Sequence, residues 1–375
     1  MKKIRIIGLV LAGITATALC PTARSAGWQE VAVYPSSRQQ ENPAVCGNTI
    51  VFQQLTTAGW DIYGADIADI QNPSPFIVAQ FDDDQINPAI YGDIVVWQDN
   101  YYGDWDIYGL DLADPCTLLA IGAFDYDQTN PAIDGNIVLW QDNYYGDWDI
   151  AAADISGSAN PPPYFEVTPF LGNQRTPDIS QDMVVWQDGN EGDFDVFSTD
   201  IIDTENLVHY LVAGFDYDQN SPAIYGSTVV SSDDFFGDSD IFAADISIPG
   251  RPWEYPLTSL SSFEKNPDID GHIVVWQDDR YGNWDIFGYN LSTARQFRIT
   301  DEPHNQVNPA ISGNVVVWQD DRSGVWNIYA VELTGEDVAF CTGGIEGDVN
   351  GDCKVDFADF AEMASHWLED NRQFY

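Results

Sequence analysis

Residues 130–155 read NPAIDGNIVLWQDNYYGDWDIAAADI, and two later stretches repeat the pattern: NPDIDGHIVVWQDDRYGNWDIFGYNL at 266–291 and NPAISGNVVVWQDDRSGVWNIYAVEL at 308–333. In the first copy, residues 131–133 predict a short strand, and Asp134-Gly135 is a hairpin signal because both residues tolerate positive φ. Residues 137–140, Ile-Val-Leu-Trp, form a continuous apolar run. A strand apolar on both faces is buried on both faces. The polar residues 142–147 around Gly146 give the next turn, residues 148–155 a third strand, and a variable stretch such as 164–168 a fourth. Four short antiparallel strands in each unit, with each sheet covered by its neighbours, make a propeller blade.

The motif begins at Asn-Pro or a close variant and recurs at Pro43, Pro88, Pro131, Pro177, Pro222, Pro267 and Pro309, at intervals of 45, 43, 46, 45, 45 and 42 residues. The fold class is therefore all-β, a seven-bladed propeller of four-stranded antiparallel blades spanning residues 27–335. Closure supports the count. The seventh copy ends soon after its third strand at Leu333, while Glu30-Val31-Ala32-Val33-Tyr34 near the start reads like an outer strand. Residues 29–35 are expected to complete the last blade.

The stretch WQDDRYGNWDIFGYNL from Trp276 resembles the TolB-like propeller repeat of bacterial and archaeal surface proteins, in which a Ser/Asp-Arg-Gly turn precedes Asp-Ile-Tyr. The resemblance covers roughly residues 29–335. It implies a propeller and leaves function open, because such propellers serve as binding scaffolds, surface-layer components and parts of enzymes. Two copies depart from the pattern: the first has Phe52-Gln53-Gln54-Leu55 without the acidic turn, and the fifth has Ser231-Ser232 in place of Trp-Gln. One functional ring made of all seven turns would be broken at both places.

Lys2, Lys3 and Arg5 precede an apolar stretch at 6–19, and Ala23-Arg24-Ser25 offers a small-residue cleavage site, so residues 1–25 read as a secretory signal peptide. No later run is long enough to span a bilayer. The expected location is extracellular or at the cell surface. Sixty acidic residues stand against fourteen basic ones, a formal net charge of -46, which argues against nucleic acid and anionic lipid as partners. That charge suits either solvation in a salty medium or binding of divalent cations. Beyond Cys20 in the signal peptide, only Cys46, Cys116, Cys341 and Cys353 remain. Four cysteines are too few for a disulfide framework, so a hydrophobic core holds the fold.

Recurrent acids are candidates for chemistry. Asp99, Asp142, Asp188, Asp278 and Asp320 end second strands, and Asp106, Asp149, Asp195, Asp240 and Asp285 begin third ones. Each blade must solve the same turn problem, so turn capping outweighs calcium held between turns, and catalysis comes last. By the same reasoning Trp97, Trp140, Trp186, Trp276 and Trp318 are packing residues ahead of a sugar-stacking platform. The four histidines are scattered without metal-ligand spacing, and no nucleophile or phosphate-loop pattern appears. No catalytic residue is assigned.

The tail carries the strongest local signal. Asp348, Asn350, Asp352, Asp356 and Asp359 fall at positions one, three, five, nine and twelve of a loop, with the Lys354 carbonyl at position seven. A tight loop with this spacing points several hard oxygens at one Ca2+ ion. Phe357, Phe360, Ala361, Ala364, Trp367 and Leu368 then recur at helical spacing. Residues 347–370, joined by a linker at 336–346, resemble one repeat of a type I dockerin. Dockerins pair two such repeats and bind cohesins in polysaccharide-degrading complexes. This chain has one, and Cys353 stands where the turn glycine is expected. Cys341 and Cys353 bracket the approach to this loop and are expected to form a disulfide, with Cys46 and Cys116 unpaired.

Two functions follow from these readings. The first is a noncatalytic binding or scaffolding propeller attached through its tail, with a carbohydrate or protein ligand on the propeller and a cohesin-like partner or self-association at the tail. The second is a glycoside hydrolase or lyase with the propeller as its catalytic domain. The central channel separates them: non-repeating acids converging on a pocket favour the enzyme, and equivalent repeat residues favour the scaffold.

Overall fold

The computed structural model describes residues 28–169, 171–189, 192–214, 217–234 and 237–335. Within these, the chain forms seven four-stranded sheets with antiparallel pairing throughout. Blade 3 shows the pattern, with strands Gln128–Asp134, Ile137–Asp142, Asp149–Asp154 and Tyr164–Glu166 running outward from the channel. The architecture implied by the TolB-like resemblance is the one observed.

The innermost strand differs from expectation in one respect. It starts two residues before Asn-Pro, and its register shifts between Thr129 and Ala132. The cause is Asn130, at φ 50. Asn42, Asn87, Asn266 and Asn308 adopt the same left-handed conformation, as do Thr176 and Ser221 in the remaining two blades. Asparagine tolerates this region better than other non-glycine residues, so the repeated Asn-Pro marks a bulge inside a strand.

Blades are held face to face by the second and third strands. Trp97, Trp140, Trp186, Trp276 and Trp318 are all 0% exposed. Each lies against the preceding blade: Trp276 joins Val230, Ile241 and Ala243 of blade 5, and Trp318 joins Val275 and Ile286 of blade 6. Burying a side chain of this size contributes about 2–3 kcal/mol or more. Blade 5, with Ser231 at the tryptophan position, meets blade 4 through smaller residues, including Val185, Val196, Val229 and Ala244. It keeps its four strands.

The ring closes as the sequence implies. Val31–Ala32 pairs antiparallel with Asn327–Glu332 as the outer strand of blade 7. The Val33 amide donates to the Ile328 carbonyl at 2.9 Å, and Trp28 Nε1 donates to the Thr334 carbonyl at 2.9 Å. Glu30 meets Arg322 at 2.8 Å.

Candidate functional site

Two places in the propeller gather chemically able side chains: the central channel and a cavity between blades 2 and 3. The channel is walled by the innermost strands of all seven blades. Around it the bulge residues link blade to blade. Asn42 Nδ2 donates to Asn87 Oδ1 at 2.6 Å, and Asn266 Nδ2 donates to Asn308 Oδ1 at 2.8 Å. In five blades the backbone amide freed by the bulge finds a glutamine on the preceding blade, Thr176 N donating to Gln141 Oε1 at 2.8 Å among them. Asn87 N donates to Gln53 Oε1, Asn130 N to Gln98 Oε1 and Asn308 N to Gln277 Oε1, each at 2.9 Å. Asn42 N to Gln319 Oε1, also at 2.9 Å, carries the pattern across the closure. The repeated Trp-Gln pair thus divides its work, with tryptophan packing between blades and glutamine satisfying a bulge amide.

Departures from the repeat bring acids into this wall. Five blades have alanine after the proline, while blades 4 and 6 have Asp178 and Asp268. Asp178 Oδ2 accepts the Ile224 amide at 2.8 Å and Asp268 Oδ2 accepts the Ile311 amide at 2.8 Å, each from the next blade. Nearer the mouth, Asp270 accepts the Gly313 amide at 2.7 Å and Asp134 accepts the Gln181 amide. Burial pushes the Asp178 carboxyl up to about 6 against the pull of two backbone amides. Burial, with the nearby Asp178 and Asp270 charges, pushes Asp268 up to about 7. Sequence reading missed both residues. The signal was available, because each is an acid where the aligned repeats hold alanine.

The repeated acids at the second turn are caps. Asp99, Asp142, Asp278 and Asp320 accept the amide two residues on, at 3.0, 2.8, 2.9 and 2.8 Å. Their other oxygen faces the tryptophan two residues back, with Trp140 Nε1 and Trp318 Nε1 both 3.3 Å away. One carboxylate therefore fixes a turn and satisfies a buried indole. Among the described residues, no group of three or more His, Cys, Asp or Glu is placed to hold a metal ion.

The cavity between blades 2 and 3 encloses about 560 Å3. It is lined by the buried carboxyls of Asp106, Asp142 and Asp149, by Glu166, and by Tyr108 and Tyr145. Burial first, then the Asp104 and Asp99 charges, push the Asp106 carboxyl up to about 7. Burial and the Glu166 charge raise Asp142 against the Tyr144 amide and the Trp140 indole. Glu166 beside the Tyr145 hydroxyl raises that phenol. Tyr102 and Tyr145 stand 73% and 67% exposed at the rim, far more than a packing role needs.

The proposed calcium ligands Asp348, Asn350, Asp352, Lys354, Asp356 and Asp359 lie outside the described residues, as do Cys341, Cys353 and the signal peptide. Cys46 and Cys116 are free thiols.

The class defined by this geometry is the seven-bladed β-propeller. No family model and no curated protein matches the chain. Among solved structures it is similar to an oligogalacturonate lyase in complex with manganese, at 13% identity and TM-score 0.60, covering 84% of this chain and 96% of that one. It is also similar to a puromycin-hydrolyzing peptidase of Mycobacterium tuberculosis, at 14% identity and TM-score 0.60, covering 76% of this chain and 49% of that one. A third is the computationally designed Ika8 protein, at 15% identity and TM-score 0.53, covering 78% and 84%. At these identities the likeness is one of fold, and this chain spans about half the length of the peptidase.

Proposed function

We propose that the protein is an exported, noncatalytic binding propeller, held outside the cell or at its surface by a calcium-loaded, single-repeat dockerin-like tail, within a polysaccharide-degrading system. The observation that carries the noncatalytic reading is the channel wall. The same repeat positions of every blade line it, and the acids that depart from the repeat there, Asp134, Asp178, Asp268 and Asp270, each have an oxygen committed to the amide of the next blade. A general acid and base need carboxyls free to reach a substrate. These carboxyls act as stitches between blades.

The second reading is a polysaccharide hydrolase or lyase. It is favoured by one observation, the two raised carboxyls Asp178 and Asp268 in one channel, since perturbed carboxyls in a cleft are a common mark of active sites. Incubating the full chain with pectin and with β-glucan separates the two. The binding reading expects no new reducing ends and no unsaturated products. Product release that is lost in Asp178→Asn and Asp268→Asn would make the protein an enzyme.

The tail reading rests on the oxygen spacing from Asp348 to Asp359. Calorimetry on the full chain is expected to show one calcium site in the range of extracellular modules, about 0.1–1 mM or tighter, absent in Asp348→Ala and Asp352→Ala. Pull-down of a cohesin-like partner should require calcium. No calcium heat in the wild type would remove the attachment role and leave an acidic binding propeller.

A further inference from the structure

Blade 6 contains a filled version of the cavity found at blade 3. There, Arg280 Nε donates to Asp278 Oδ2 at 2.8 Å while its guanidinium lies 4.2 Å from the centroid of the Phe287 ring. Arg298 meets Asp285 at 2.8 Å with its guanidinium 4.5 Å from the Tyr281 ring centroid. Two buried aspartates are thus balanced by two arginines stacked on aromatic faces, a geometry suited to guanidinium and poorly met by an ammonium. Blade 7 repeats half of it, with Arg322 paired to Asp320 and 4.2 Å from the Tyr329 ring centroid.

Strand register places blade 3 residue by residue on this arrangement. Asp142 pairs across the strands with Asp149 as Asp278 does with Asp285, and Ala151 pairs with Glu166 as Phe287 does with Arg298. The two aspartates are retained. Tyr144 stands in place of Arg280, Glu166 in place of Arg298, and Ala151 in place of Phe287. The first two changes exchange both arginines for a phenol and a third carboxylate, and the last removes the ring that would fill the space. The result is the cavity of about 560 Å3, with Tyr102 and Tyr145 exposed at its rim.

We propose that this cavity is a receptor for a guanidinium group, namely an arginine side chain presented by a polypeptide partner. The charge that blade 6 supplies from its own chain is supplied at blade 3 from outside. The carboxylates take the fork of hydrogen bonds, and the tyrosines give the stacking face. An inorganic cation fits less well, since no three acids here are placed to share one ion. This site deepens the binding reading of the propeller and rests on it.

The test is a calorimetric or NMR titration of the full chain with the peptide acetyl-Gly-Arg-Gly-amide, with its lysine counterpart as comparison. Saturable binding with Kd on the order of 1 mM or tighter is expected for the arginine peptide, several-fold weaker for lysine. Glu166→Gln should weaken it about tenfold. Glu166→Arg, which installs the arginine of blade 6 in blade 3, should abolish binding and raise Tm. Glu205→Gln, on an exposed loop of blade 4, should change nothing. The proposal is overturned if the arginine peptide does not bind, if Glu205→Gln weakens it as much as Glu166→Gln, or if Glu166→Arg binds like wild type. It is also overturned if the cavity takes cellotetraose in place of the arginine peptide. The titration reads the cavity alone, so its failure removes this ligand and leaves the reducing-end assay to decide on catalysis.

Discussion

Trp276 is fully buried between blades 5 and 6, and its indole faces Asp278, which also caps the following turn. Replacing it with alanine removes the largest buried side chain of that interface and leaves a void among neighbours held by their β-sheets. Trp276→Ala should cost about 3–5 kcal/mol in urea unfolding. A loss below about 1 kcal/mol would show that blades 5 and 6 are held by something else. This role was legible in the sequence because every tryptophan-bearing blade poses the same packing problem, and so was the capping role of Asp278. The left-handed Asn130 was not legible, because a strand and a bulged strand share one apolar pattern. Asp178 and Asp268 were overlooked because repeat reading values agreement between copies, and these two matter by disagreeing. The exchange of Arg298 for Glu166 lay deeper. It falls on fourth strands, YFE and RQFR, that share no motif and align only once hydrogen-bond register fixes them.

At the scale of elements, the closing strand is the smallest in the propeller and has the widest consequences. Val31–Ala32 contributes only two residues to the ladder, yet Trp28 and Val33 beside it are 6% and 2% exposed, packed into the interfaces on the two sides of blade 7. Burying those two side chains contributes roughly 3–6 kcal/mol, against the 5–15 kcal/mol that typically separates folded from unfolded chains. Deleting residues 27–36 also bares the edge of the strand Asn327–Glu332 and removes the Glu30 partner of Arg322. The truncated chain is expected to melt at least about 10 °C lower, and to aggregate during size-exclusion chromatography. A soluble monomer melting with the full-length protein would show that closure is carried by the innermost strands alone, through Asn42 and Gln319. The sequence foretold this strand because the seventh repeat ends soon after its third strand at Leu333, while residues 29–35 near the start read like an outer strand.

Across the whole molecule, the excess of sixty acidic over fourteen basic residues is only partly a surface property. Burial is the first cause of the upward shift at Asp178 to about 6, Asp106 and Asp268 to about 7, and Glu254 to about 8. In the unfolded chain such groups titrate near 4. Between the two values the folded protein holds a proton that the unfolded chain has released, so stability falls as pH rises through that window. Self-repulsion among the remaining carboxylates acts in the same direction. Thermal unfolding followed by circular dichroism should therefore give a higher Tm at pH 5 than at pH 8, with the gap narrowed by salt that screens the exposed charges. Asp268→Asn isolates one contributor. The amide oxygen can still accept the Ile311 amide, but the side chain no longer ionises. At pH 5 the variant should melt within a degree or two of wild type, because the aspartate is then already protonated. At pH 8 it should melt higher, because wild type carries an uncompensated charge in the channel wall beside Asp178. A Tm that climbs from pH 5 to pH 8, or an Asp268→Asn variant less stable than wild type at pH 8, would mean that the channel carboxylates are held ionised by a cation bound among them.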